Sequence, residues 1–65
     1  MTFDQAVAIC TARPMTTEEF CTITDDMDMV EAVIGVLDNK AEESDICYHN
    51  LHMLAHEYYM VYIGE

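Results

Sequence analysis

Met27, Val30, Ile34, Leu37 and Ala41 recur along the chain at steps of three and four residues, and Cys47, Leu51, Leu54, Tyr58 and Val61 repeat the pattern. An α-helix turns about 100° per residue, so that spacing collects each set on one face. Two such faces have to be covered, and in a short chain the available cover is another helix. Strand-like alternation is scarce elsewhere.

The helix boundaries carry their own signals. Thr2 and Gln5 have the form of a capping box, in which hydroxyl and amide satisfy each other's backbone N–H, and open a helix through about Ala12. Pro14 closes it, because residues before proline avoid the α region. Thr16 and Glu19 form a second box opening a helix over Thr17–Ile23, although Phe20, Cys21 and Ile23 also suit a brief strand. Thr24 or Asp25 is expected to cap a third helix from Asp26 to about Glu42, with Gly35 inside it at a cost of about 1 kcal/mol relative to alanine. Ser44 is the natural cap for a last helix to about Ile63, whose YYMVYI end has a β-prone composition and is expected to fray or switch. The expected fold is all-α: one domain over residues 1–65, a compact bundle of three to four helices around a thin core.

The charge is lopsided. Thirteen acids face two bases, Arg13 and Lys40, giving a formal net charge of −11. The chain is nonetheless 52% hydrophobic, too apolar for a disordered acidic tail. Self-repulsion on this scale argues against direct binding to nucleic acid or an anionic membrane. No apolar run approaches the roughly 18–20 residues of a membrane span. The first residues, MTFDQAVAIC, lack the basic region of a signal peptide, so a cytoplasmic location is expected. Cys10, Cys21 and Cys47 are an odd set without a CxxC pair, and read as small buried thiols.

Eight of the acids fall in TDDMDMVEAVIGVLDNKAEESD: Asp25, Asp26, Asp28, Glu31, Asp38, Glu42, Glu43 and Asp45. On a continuous helix Asp28, Glu31, Asp38 and Glu42 share a sector of about 80°, with Gly35 in their midst. Eight acids over the rise of twenty helical residues amount to about one charge per 3.7 Å, against about 3.4 Å along one DNA strand. Three readings compete: a solvated face, a surface that engages a basic groove, and a cation site. An ordinary solvated face intersperses both signs and gains from Glu–Lys pairs four apart, which this one forgoes. Halophilic adaptation would also produce it. An EF-hand is excluded: a loop starting at Asp26 needs glycine where Glu31 stands and glutamate where Leu37 stands, and one starting at Asp25 puts Met27 at the second ligand position.

Asp45, His49, His52 and His56 lie within about 60° of one another on the last helix, and the histidines form a second stripe pointing away from the Leu51/Leu54/Tyr58 seam. They read first as a solvated polar face, with metal binding or a pH-sensitive contact as alternatives. The spacing lacks the glutamate of HExxH, so a hydrolytic zinc site is not supported. Met53, Met60 and Ile46 lie near this stripe, as thin core or as an apolar surface for self-association, and a homodimer would add burial to so small a chain.

No catalytic constellation is present. The one serine, Ser44, is needed as a cap, and neither glycine-rich phosphate loop nor base-and-orienter pair can be assembled. The chain is expected to be a binding protein without enzymatic activity or cofactor. In size and acidity, carried by the eight acids named above, it resembles the small phage-encoded anti-CRISPR proteins and related DNA mimics. The resemblance is one of character over the whole chain, without a shared motif, and such proteins have no common fold. It implies an acidic inhibitor that occupies the basic nucleic-acid-binding surface of a partner, a type I Cascade complex being the specific expectation. Restriction enzymes and repair glycosylases fit equally on charge. The alternatives are a small helical oligomerisation protein using its Met/Tyr surface, and a metal-responsive module built on the histidines.

Overall fold

Each helix begins where a side chain can satisfy its first N–H groups. In the computed structural model, which describes residues 1–63, these are α1 (Phe3–Ala12), α2 (Thr17–Thr24), α3 (Met27–Lys40) and α4 (Asp45–Tyr62). Both capping boxes form: Thr2 with Gln5, and Thr16 with Glu19. Ser44 accepts the Cys47 N–H at the start of α4. The described residues contain no strand, so the architecture is an all-α bundle of four helices. Phe20, Cys21 and Ile23 are helical, and α4 stays helical through Tyr62.

The third helix differs from its expected bounds at both ends. Its cap is Asp26, whose carboxylate accepts the N–H groups of Asp28 (3.1 Å) and Met29 (3.3 Å), rather than Thr24 or Asp25. Thr24 ends α2, and its hydroxyl donates back to the Phe20 carbonyl. The far end stops at Lys40, so Glu42 lies in the turn between α3 and α4 and not on the helix.

The helices α3 and α4 make the largest contact, α1 packs across both, and α2 closes against them. Ala6 and Cys10 of α1, Met15, Ile23 of α2, Val30, Val33 and Leu37 of α3, and Cys47 and Leu54 of α4 form the core. Met27, Ile34, Leu51, Met53 and Tyr58 pack around its edge. Val61, on the expected packing face, is exposed. All three cysteines are free. Cys10 and Cys47 are buried as expected, but Cys21 is exposed, lying on the outer side of α2 away from Ile23. Burial, with a lesser push from Cys47 and Glu19, raises the Cys10 thiol to about 11.

One fully buried residue is polar. Asn50 sits between Cys47 and Leu54 on the inner face of α4. Its Oδ1 accepts the Met15 N–H (3.0 Å), and its Nδ2 donates to the carbonyls of Cys10 (2.8 Å) and Arg13 (2.9 Å). The Cys10 carbonyl would ordinarily receive the N–H four residues on, but that residue is Pro14, which has none. Asn50 supplies the missing donor and ties the α1–α2 corner to α4. No buried side-chain polar atom among the described residues lacks a partner.

Candidate functional site: an unneutralised acidic edge

All eight acids of the 25–45 stretch are exposed. They are not one continuous helical line. Asp25 closes α2, Asp26 caps α3 and Asp28 occupies its first turn. Glu31 and Asp38 follow along α3, Glu42 and Glu43 lie in the turn after it, and Asp45 opens α4. The strand-like spacing of eight charges on one helix therefore does not hold. The acids cluster instead at the two ends of α3, with Glu31 between.

Their positions relative to the helix dipoles divide them. Carboxylates are favoured at a helix N-terminus, where the N–H groups lend partial positive charge, and disfavoured at the C-terminus. Asp26, Asp28 and Asp45 stand at N-termini, so local structure accounts for them. Asp25 is at the C-cap of α2, Asp38 is two residues from the end of α3, and Glu42 and Glu43 come immediately after it. All four adjoin the negative end of a helix, although Asp25 and Glu43 also directly precede the N-caps Asp26 and Ser44, and Lys40 is the one base nearby.

Nor are the eight neutralised by ion pairs. The single salt bridge among the described residues joins Arg13 to Glu19, at the other corner of the bundle. Its hydrogen bonds hold the Glu19 carboxyl down at about 2, with the Thr16 N–H contributing. Half of the chain's positive charge is thus committed away from the acidic edge. Gly35 lies on this edge, exposed and without positive φ, and a Cβ placed on it would meet nothing within 4 Å. No packing inside the molecule calls for a glycine there.

Two tyrosines of α4 border the acids: Tyr58, which sequence periodicity assigns to packing, and Tyr62, which belongs to the β-prone YYMVYI end. Tyr58 is half-buried against the core, and its ring meets that of Tyr62 at 4.7 Å between centroids. Partial burial pushes the Tyr58 phenol up, and the neighbouring Glu31, Tyr62 and Asp28 add to the shift. The N-terminal half of the acidic edge is therefore flanked by aromatic surface. The signal for it lay in Tyr58 and Tyr62 being four apart on the helix facing α3.

The histidines stand elsewhere. His49, His52 and His56 are exposed on the outer side of α4, and Tyr48 stacks on His52 with centroids 6.1 Å apart and planes within 16°. Among the described residues, no three His, Cys, Asp or Glu side chains are grouped to hold a metal ion. No described helix is long and apolar enough to cross a membrane. Comparison with known protein families, characterised proteins and solved structures gave no match.

Proposed function

We propose that the chain is an acidic inhibitor whose α3 edge occupies the basic, nucleic-acid-binding surface of a partner protein. The observation that carries this reading is the set Asp25, Asp38, Glu42 and Glu43, exposed carboxylates that make no ion pair and meet no base beyond Lys40, with Asp38 in the last turn of α3 opposing its dipole. Carboxylates left without a cation inside the molecule are accounted for by one from outside. A basic groove supplies one, and electrostatic attraction speeds the encounter. The Tyr58–Tyr62 pair beside Glu31 and Asp28 favours arginine in that groove, since a guanidinium both pairs with carboxylates and lies over aromatic rings. Gly35 leaves the middle of the edge open to close approach. The likeness in character to anti-CRISPR proteins makes a type I Cascade complex the first partner to test.

Displacement of a labelled DNA duplex from that complex is the assay. The chain is expected to compete with the duplex, and to compete less as the Debye length falls from about 10 Å at 0.1 M salt to about 3 Å at 1 M. Reversing Asp28, Glu31, Asp38 and Glu42 to lysine together is expected to abolish competition while helical circular dichroism is retained. Capture from a bacterial lysate at low and high salt, with the bound proteins identified, extends the test to other DNA-handling proteins. Competition that survives the fourfold reversal would sink the proposal, as would captured partners that bind no nucleic acid.

A further inference from the structure

The side of α4 turned away from the bundle is also unaccounted for. Tyr48, Tyr59, Met60 and Ile63 are between 54% and 61% exposed. With His52, Ala55 and His56 they follow one another at helical spacing, on the side opposite Cys47, Asn50 and Leu54. An open groove of about 370 Å³ runs along this face, lined by His52, Ala55, His56, Tyr59 and Met60. From Tyr48 to Ile63 the face bears no carboxylate, in a chain that has thirteen.

We infer that this face docks a second copy of the chain, α4 against α4 in antiparallel orientation. The first argument is self-complementarity. A two-fold interface sets the same patch against itself, so residue i meets j and j meets i. The positions Tyr48, His52, Ala55, His56, Tyr59 and Ile63 are spaced symmetrically about the Ala55–His56 peptide. An axis there sets Tyr48 against the second copy's Ile63, and Tyr59 against the second copy's His52. The small Ala55 lies at the centre, where the helices come closest, and the groove beside it receives the ring of Tyr59.

The second argument is area. An aromatic side chain presents about 150–250 Å², so covering this patch removes on the order of 600 Å² per protomer and about 1,200 Å² for the pair. That is the lower edge of what specific interfaces bury, and it fits a dimer that forms with concentration. The distribution of charge, though not its total, is compatible with the same occupant. A basic partner is drawn to the α3 edge, whereas a pairing through α4 joins two faces that bear no carboxylate between Tyr48 and Ile63, Asp45 lying one turn before them. This inference stands independently of the proposed inhibitor function, because it uses a different face and has the opposite salt response.

Sedimentation of the full chain over a wide concentration range is the test. The mass is expected to rise from 7.4 kDa to twice that value, and more readily in high salt, which screens the repulsion between two chains of charge −11. Tyr59→Glu is expected to weaken the dimer about tenfold or more with the melting profile of the monomer unchanged. In a Cys21→Ser background, Ala55→Cys is expected to form a disulfide between protomers under mild oxidation, and Asp38→Cys is not. A monomer at every concentration overturns the inference, as does a dimer indifferent to Tyr59→Glu. A dimer that Ala55→Cys fails to cross-link overturns the antiparallel arrangement. A monomer that instead floats with phosphatidylcholine vesicles reassigns the face to lipid.

Discussion

The α1–α2 corner and the α3 edge treat polar groups in opposite ways. At the corner, Asn50 is surrounded by three hydrogen-bonding partners, and Arg13 is bound to Glu19. Along the edge, exposed carboxylates stand without an ion pair, Asp38 among them in the last turn of α3. The same chain therefore builds complete polar networks where its own fold requires them. The lack of compensation along α3 is a property of that surface and not of a generally careless composition.

The contrast is broken most strongly at its satisfied end. Asn50→Ala removes both donors and the acceptor of the corner, leaving the Met15 N–H and the Cys10 carbonyl buried without partners and the part-buried Arg13 carbonyl unpaired. It is expected to lower stability by about 3 kcal/mol, read as a shift in the urea midpoint. Next comes Gly35→Ala at the other end. With open space for the Cβ, it is expected to raise stability by about 1 kcal/mol in the same titration while weakening partner binding. A gain in stability with binding untouched would remove any role for the glycine in close approach.

Asp38→Asn takes a negative charge from the C-terminal turn of α3 and is expected to stabilise by about 0.5 kcal/mol, an increment that shrinks in high salt. If the variant is instead destabilised, Asp38 has a structural role and the contrast loses one of its members. The smallest effect is expected at Glu19, because its pair with Arg13 is solvent-exposed. The folded state holds this carboxyl at about 2, below its usual 4.5. Its contribution is therefore fully present above pH 4.5 and is lost as pH falls from there to about 2. Thermal melts of wild type and Glu19→Gln should differ above that window and converge through it.

Much of the bundle is legible in the residues themselves. The two capping boxes act locally, within four residues, so Thr2–Gln5 and Thr16–Glu19 form as read. The apolar steps of α3 and α4 likewise place Val30, Leu37, Cys47 and Leu54 in the core. Thr24, Asp25 and Asp26 are all competent caps, and Asp26 takes the role because Thr24 and Asp25 are used in closing α2. Glu42 belongs to a turn because Ser44 starts α4 so soon after. Asn50 was hidden for a different reason. Its partners are 35–40 residues away in sequence, and a polar residue between Cys47 and Leu54 signals a buried hydrogen-bond centre only once the Pro14 corner is brought to it. The exposure of the acids was legible; their division by helix polarity required the true ends of α3.

The reach of Asn50 across the sequence also bears on the order in which the chain folds. The α3–α4 hairpin closes through a four-residue connection, 41–44, and costs little loop entropy. The α1–α2 half is pinned through contacts that span more than half the chain, so it is expected to dock after the hairpin has formed. Substituting Asn50 would then accelerate unfolding and leave the refolding rate nearly unchanged, a low φ-value in a chevron experiment. The side chain that completes the bundle would be the one whose release first opens it.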